Sequence, residues 1–333
     1  MKSLRIGIIG CGRISVMHFE AANDLEEATL VACADVKRER ANEKAEKYGI
    51  TPYEDYKEMI EKEDLDAVQI CLPHYLHSEV AIYAMQKGLD VITEKPMDVD
   101  MQSAERAIAV SKETGRKFGV ISQCRYNDSA QLVKRAVQSG KLGRILAARS
   151  TLTWKRNDDY YTQSDWKGTW DKEGGGVVID QAIHSIDLVR WIVDDEIEHI
   201  SCHMANRHHH AVDVEDTAEG LISFKNGATY AFWCMNNYSC DEPIEIRLHC
   251  ENGKVVFGYN EAIIQYKDGT VEEIKKAPQT FKGKDYWGNW HVRQLSNFYR
   301  ACLGLEALEI DGEEALKTHR LICRLYEEGG MKQ

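Results

Sequence analysis

Residues 4–15 read LRIGIIGCGRIS, an apolar run that stops at a glycine turn. The run has the character of a buried strand, and Gly10, Gly12 and Ser15 set the spacing G-x-G-x-x-S of a tight turn that opens a helix. Such a turn brings backbone close to a pyrophosphate and aims the positive end of a helix at it. Ser15 stands where glycine or alanine is usual, and its small side chain still permits close helix–strand packing. A purely structural glycine turn accounts for these residues too, but not for Asp35. That carboxylate ends the next apolar run, about twenty residues beyond the turn, where it can accept hydrogen bonds from the hydroxyls of an adenine ribose. The sequence therefore predicts a dinucleotide cofactor. Asp35 repels a 2'-phosphate and favours NAD, while Lys37 and Arg38 directly after it leave NADP open.

Outward from the turn the same texture continues. Apolar runs (LRIGIIG, TLVACAD, DAVQICLP, LDVITEKP, KFGVIS) alternate with helical, charge-flanked stretches at 13–23, 37–48, 78–87, 99–114 and 129–139. Strands separated by helices predict an α/β, doubly wound, mostly parallel sheet. After Gly143, long strand-like runs are punctuated by Asn226-Gly227, Asn252-Gly253 and Asp268-Gly269, dipeptides that favour hairpins. This half reads as α+β, with a large, open, mainly antiparallel sheet carrying a helix over 175–191. The tail from Trp290 to Glu328 is helical in period, broken at GLEALEIDGEE. The expected division is a Rossmann dinucleotide-binding domain at 1–123 and a substrate-binding and oligomerisation domain at 124–333, its C-terminal helix packing back on the first.

The length of 333 residues fits two domains, and 43% apolar content allows sizeable cores. A net charge of -12 argues against a general affinity for nucleic acid or an anionic membrane. The ten cysteines stand singly, with no C-x-x-C pair, as in the reduced interior of a cytoplasmic protein. The chain starts straight into strand-like sequence and holds no run of about eighteen apolar residues, so neither a signal peptide nor a membrane span is expected. His203, His208, His209 and His210 in HMANRHHHAVDVED invite a metal reading. Consecutive histidines on a strand alternate faces and cannot all bind one ion, so no metal is expected.

The stretch EGGGVVIDQAIHSIDLVRW, residues 173–191, sets Asp180, His184 and Asp187 on one helix face, beside an apolar stripe of Ile179, Ile183 and Ile186. Asp and His at a half-buried edge can share a proton, or simply pair as structural groups. The three glycines are expected to let the helix entrance approach cofactor or substrate closely. TEKPM ends the fourth predicted strand, at the edge where doubly wound sheets bind ligands; Lys95 then points into the cofactor crevice, although alone it reads as a surface charge. Together with ICLPHYLHSEVAIYAMQKGLDVITEKP, GKLGRI, VEDTAEGLISFKNGA and HVRQLSNFYRACLGLEALEIDGEEAL, the sequence resembles the glucose-fructose oxidoreductase, inositol dehydrogenase and rhizopine-catabolism (Gfo/Idh/MocA) family over nearly the whole chain.

The resemblance implies NAD(P)-dependent oxidoreduction of a sugar, cyclitol or glycoside in a cleft between a Rossmann domain and an open-sheet domain. It also implies a homodimer or homotetramer that covers the open sheet. The family's catalytic lysine, aspartate and histidine fall on Lys95, Asp180 and His184. Oxidising a secondary alcohol needs a base for the hydroxyl proton while hydride leaves for the nicotinamide, and a neutral imidazole suits that task. His184 is the expected base, Asp180 orients its ring and stabilises imidazolium, and Lys95 stabilises alkoxide character. Asp187, one turn deeper, reads as structural.

The nucleotide is expected on Gly10, Gly12, Arg13, Ile14, Asp35 and Arg38, on Leu72, Pro73, His74 and His77, on Glu94 and Lys95, and on Gln123 and Trp166. Substrate is expected on Lys95, Arg125, Trp154, Arg156, Tyr161, Asp180, His184 and Tyr286. The loop TWKRNDDYYTQSDWKGTW, residues 153–170, sets aromatic faces among charged groups as sugar sites do, the plainer reading being a loop anchored by aromatic packing. Its pattern resembles members that oxidise a pyranose ring, often at the third carbon, where Asn often stands in place of Asp180. Two rivals stand beside the dehydrogenase reading. One is glycoside cleavage through transient oxidation without net redox; the other is a non-catalytic nucleotide-sensing protein, against which intact Lys95, Asp180 and His184 argue.

Overall fold

The computed structural model describes residues 3–276 and 290–331. They form two compact units. The first runs to Gln123 and takes in a later segment that ends at His319; the second begins at Cys124 and takes in the chain from Arg320.

In the first unit, strands β1 (Leu4–Ile9), β2 (Ala28–Ala34), β3 (Thr51–Tyr53), β4 (Ala67–Ile70), β5 (Asp90–Thr93) and β6 (Phe118–Val120) alternate with helices α1 (Ser15–Asp24), α2 (Arg38–Tyr48), α3 (Tyr56–Lys62), α4 (His77–Gln86) and α5 (Met101–Thr114). The strands form one sheet in the order β3-β2-β1-β4-β5-β6, every neighbouring pair parallel. Parallel sheets are covered on both faces, which is why β1 and β4 are almost wholly buried. Ile6, Ile8 and Ile92 are fully buried in a core shared with Phe19, Phe298 and Tyr299. The TEKPM segment follows the fifth strand, a correction to the sequence reading. The strand missed, β3, is three residues long and contains Pro52, too short to show a period.

In the second unit, β7 (Ile145–Thr153), β8 (Ile197–Ala205), β9 (Thr217–Phe224), β10 (Thr229–Met235), β11 (Glu245–Cys250), β12 (Gly253–Phe257), β13 (Glu261–Tyr266) and β14 (Val271–Lys275) form a sheet in the order β14-β13-β12-β11-β7-β10-β9-β8. Pairing is antiparallel throughout except between β7 and β10. Strict alternation sorts the side chains: Tyr230, Phe232 and Cys234 are buried, while Leu221, Trp233 and Ile263 are exposed. Helices α6 (Asp128–Gln138), α7 (Asp158–Thr162) and α8 (Ile183–Val193) belong to this unit. Helix α9 (Trp290–Cys302) packs on α1 in the first unit, and α10 (Gly312–Glu328) closes the described chain. Among the described residues no helix is long and apolar enough to cross a membrane. None of the ten cysteines is joined in a disulfide.

Candidate functional site

The first unit's glycine turn is built by close packing. Gly10 has φ +95°, and a Cβ there would stand 2.3 Å from the Cys71 carbonyl oxygen, so only glycine fits. Around Gly12 the space is open, and no side chain caps the α1 entrance at Ile14, where Met17 N donates to Ile14 O at 3.0 Å. Asp35, half-buried at the end of β2, fixes the turn: Cys11 N donates to its Oδ2 at 2.8 Å and Lys37 N to its Oδ1 at 2.8 Å. These features fit a dinucleotide, with the phosphates at the turn and the adenosine ribose toward Asp35. Arg13 is exposed, and so is Arg38, whose Nη1 lies 3.3 Å from Glu54 Oε1. Buried Gln123 leaves its Oε1 without a hydrogen-bond partner among the described residues, an acceptor that an amide donor would satisfy.

After β4, Leu72 and Pro73 are half-buried and His74 is buried. His77, expected on the nucleotide, is fully buried instead, its ring nitrogens 2.7 Å from Pro96 O and 2.8 Å from Leu72 O. It ties the loop after β4 to the Lys95–Pro96 segment after β5. Burial holds its pKa below the ordinary histidine value against the two carbonyls. Lys95 is half-buried.

Glu94, next to Lys95 in the chain, belongs to a group that the sequence reading did not bring together. Glu94 Oε1 is 3.0 Å from His18 Nε2 and 3.2 Å from His291 Nε2, all three side chains buried. His18 Nδ1 meets Gln69 Oε1 at 2.6 Å, and Gln69 Nε2 donates to Tyr299 OH at 2.5 Å. Burial raises the cost of the Glu94 charge, yet the two imidazoles outweigh it and hold the carboxyl well below its usual range. Burial likewise opposes His18 imidazolium, and Cys71 and Glu94 overcome it. The three ligand-type atoms lie within 4.8 Å of one another, the one such group among the described residues. Glu94 accepts from both imidazoles, and the trio is held as a buried hydrogen-bonded group.

In the second unit, the expected helix over 175–191 begins instead with a π-helical turn at Val178–Ala182 and continues as α8. The π turn adds a residue to the first coil, so Asp180 and His184 do not follow simple α spacing. Of the three glycines expected to approach a ligand, Gly175 and Gly176 are packed against the protein's own residues. A Cβ on Gly175 would meet Tyr326 OH at 2.0 Å, and one on Gly176 would meet Glu215 O at 1.9 Å. The helix entrance is instead capped from within: Gly176 N and Val178 N donate to the Glu215 carboxylate at 2.9 Å each, and Tyr326 OH donates at 2.8 Å. Burial raises the Glu215 pKa to about 7 against those donors.

Asp180 is the hub of this unit's polar cluster. Its Oδ2 accepts from Tyr160 OH at 2.6 Å, Lys167 Nζ at 2.9 Å and Gln181 Nε2 at 2.6 Å. Lys167 Nζ also lies 3.1 Å from Glu173 Oε1. Burial works against the Lys167 ammonium, but Asp180 and Glu173 outweigh it and hold the group well above its ordinary range. Glu173 loses that competition: burial, only partly offset by Lys167 and reinforced by the Asp180 charge, pushes its pKa up to about 7. His184 sits half-buried in the first turn of α8. Of the adjacent tyrosines it is Tyr160 that reaches Asp180. Tyr161, the one expected on substrate, is buried and accepts from Asn236 Nδ2 at 2.6 Å.

Other expected substrate residues are already engaged. Arg125 is buried, bonding Asp187 through Nε at 2.7 Å and Nη2 at 2.5 Å. Trp154 is buried with its Nε1 donating to Glu242 O at 3.2 Å. Arg156 reaches Asp241 at 3.0 Å, and half-buried Trp166 lies under Lys167. Tyr286 lies outside the described residues. The histidine run disperses: His203 faces Glu219 at 3.5 Å, while buried His209 meets Asp158 at 2.8 Å.

Residues 4–122 match the family model described as an oxidoreductase family with an NAD-binding Rossmann fold. Residues 130–256 match that of the GFO/IDH/MocA C-terminal domain. The chain is 31% identical over 230 residues to a myo-inositol 2-dehydrogenase of Thermotoga maritima, a match covering 68% of this chain and 66% of that protein. It is 31% identical over 203 residues to an inositol 2-dehydrogenase of Rubrobacter xylanophilus, covering 60% of this chain and 55% of the relative. The matched stretches thus span under two thirds of these curated relatives. A crystal structure of the WlbA dehydrogenase from Bordetella pertussis in complex with NADH and UDP-GlcNAcA superposes with a TM-score of 0.86 at 28% identity, covering 99% of this chain and 97% of that one.

Proposed function

This chain belongs to the GFO/IDH/MocA oxidoreductase family, and from that premise we propose that it is an NAD(H)-dependent dehydrogenase acting on a secondary hydroxyl of a sugar, cyclitol or glycoside. The observation that carries the reading is the Asp180 cluster, where a carboxylate held by Tyr160, Lys167 and Gln181 stands on the same helical segment as His184. Three donors favour its ionised form, which is the form that steadies an imidazolium.

When bound, the nicotinamide supplies the hydride acceptor. His184 takes the hydroxyl proton on Nδ1 or Nε2, Asp180 stabilises the resulting cation, and Lys95 offers an ammonium to the oxygen as it gains alkoxide character. Gly10, Gly12 and the α1 entrance hold the pyrophosphate, and Asp35 takes the ribose hydroxyls and favours NAD over NADP. The names of the relatives support the substrate class. The exposed sheet face with Leu221, Trp233 and Ile263 is the surface on which a second copy of the chain packs. Purified protein mixed with NAD and a panel of sugars, cyclitols and glycosides, followed by NADH absorbance and product mass spectrometry, tests the reading. NADH formed with a keto product supports it; cleaved glycoside without net NADH selects the transient-oxidation rival, and nucleotide binding without any product selects a sensor.

A further inference from the structure

Lys95 stands between two anchors in the first unit. On one side its own N–H donates to Glu94 Oε2 at 3.2 Å, and the other oxygen of that carboxylate is held by His18 and His291. On the other side the next residues dock on the entrance of α4. His77 Nδ1 lies 2.7 Å from Pro96 O, Ser78 Oγ donates to Met97 O at 3.2 Å, and Ser78 N donates to Asp98 Oδ2 at 3.2 Å. The His77 ring also reaches a second loop, its Nε2 lying 2.8 Å from Leu72 O after β4. Both of these partners are main-chain carbonyls, which accept and never donate, so a neutral ring serves one of them at a time and an imidazolium serves both. Packing alone does not call for a histidine at this fully buried position: a phenylalanine fills the same space but takes the donor away from both carbonyls.

We propose that His77 is a positioning residue for Lys95: its Nδ1 bond to Pro96 O fixes the lysine-bearing segment, and its Nε2 contact ties that segment to the Leu72 loop. The proposal rests on the dehydrogenase reading, which gives Lys95 its role at the reacting oxygen. An ammonium that meets developing charge acts by standing in place beforehand, and a misplacement of about 1 Å costs on the order of a hundredfold in rate. The half-buried Lys95 side chain has a long, flexible stem, so the position of its ammonium depends on how firmly the backbone beneath it is held. Glu94 holds that backbone before the lysine, and His77 holds it after.

The test separates the two bonds in the full-length protein. Asparagine carries its amide nitrogen as many bonds from Cα as Nδ1, and glutamine as many as Nε2, so His77→Asn keeps a donor for Pro96 O, His77→Gln keeps one for Leu72 O, and His77→Phe keeps neither. With NAD and the best substrate of the panel, His77→Asn should hold kcat within about threefold of wild type, while His77→Gln and His77→Phe should each lose about tenfold or more. In a Lys95→Ala background the difference between His77→Asn and His77→Gln should vanish, because no ammonium is left to place. Equal kcat in the Asn and Gln variants, or a difference that survives in Lys95→Ala, overturns the proposal, and this comparison holds even where His77→Phe does not fold. Wild-type turnover in Lys95→Ala itself strikes the role given to Lys95 and the proposal with it. If no panel member reduces NAD, the dehydrogenase reading fails instead, and amide hydrogen exchange over residues 94–98 still decides on the tie. Faster exchange there in His77→Gln than in His77→Asn supports it; equal or slower exchange overturns it.

Discussion

Lys167 Nζ stands 2.9 Å from Asp180 Oδ2 and only slightly farther, 3.1 Å, from Glu173 Oε1, so one buried ammonium serves two carboxylates and favours the nearer. With Asp180 in its proposed role, we assign Lys167 as a positioning residue that acts through it. Lys167→Met should lower kcat by roughly tenfold to a hundredfold with NAD affinity unchanged, and should destabilise the fold by about 3 kcal/mol because two carboxylates lose their buried partner. Lys167→Arg should restore part of the rate. Steady-state kinetics beside thermal melts check this; a melt shift with unaltered kcat reduces Lys167 to a structural role.

Glu215 carries the clearest pH signature. Its folded pKa of about 7 lies above the 4.5 of an ordinary glutamate. A carboxyl with a raised folded pKa contributes stability that is complete below the unfolded value and declines as pH climbs through the folded one. Unfolding stability should therefore decrease between pH 4.5 and about 7, and Glu215→Gln should flatten part of that slope. Glu173 contributes in the same direction, its folded pKa also being about 7. Melting temperatures across this window that climb with pH, and climb equally in the variant, would contradict the assignment.

What could be read from sequence is what is local or periodic. The Gly10 turn and Asp35 are legible because strand, turn and helix are contiguous, and the hairpins announce themselves at Asn226-Gly227, Asn252-Gly253 and Asp268-Gly269. The Glu94 cluster was illegible: its histidines lie 76 and 197 residues away, and a histidine on a core-facing helix position gives no sign of its partner. Lys167 is 13 residues from Asp180 across an irregular loop, where no period places side chains. The π turn at Val178–Ala182 leaves the apolar pattern almost unchanged, so the sequence suggests an ordinary helix. The sequence marks the glycines at 175 and 176 as points of close approach to cofactor or substrate; in the fold it is Tyr326 and Glu215 that approach them.

We propose that cofactor choice turns on Asp35. Asp35→Ser removes the repulsion toward a 2'-phosphate while a serine hydroxyl can still accept from Cys11 N, so NADP affinity should improve by about tenfold or more relative to NAD. Fluorescence titration with both reduced cofactors measures it. An unchanged preference removes Asp35 from the ribose site.

The open sheet face predicts association. Trp233 is 40% exposed and Leu221 47% exposed on adjacent strands, a pairing that a second copy can cover. Light scattering at micromolar concentration should report a dimer or tetramer, and Trp233→Arg should shift it toward monomer. A wild-type monomer contradicts this reading of the face.

We propose His184 as the base. His184→Ala removes the proton acceptor without touching the glycine turn, so NAD affinity should persist while kcat falls by roughly 10² to 10⁴-fold. Because Lys95 and His184 are proposed to act on the same oxygen, the Lys95→Ala and His184→Ala losses should combine less than additively in the double variant. The decisive measurement is kcat of His184→Ala at neutral pH with saturating NAD and the best substrate of the panel: a loss of that size with intact NAD binding is the predicted result, and turnover near wild type contradicts the account and moves the base to another group, Tyr160 first.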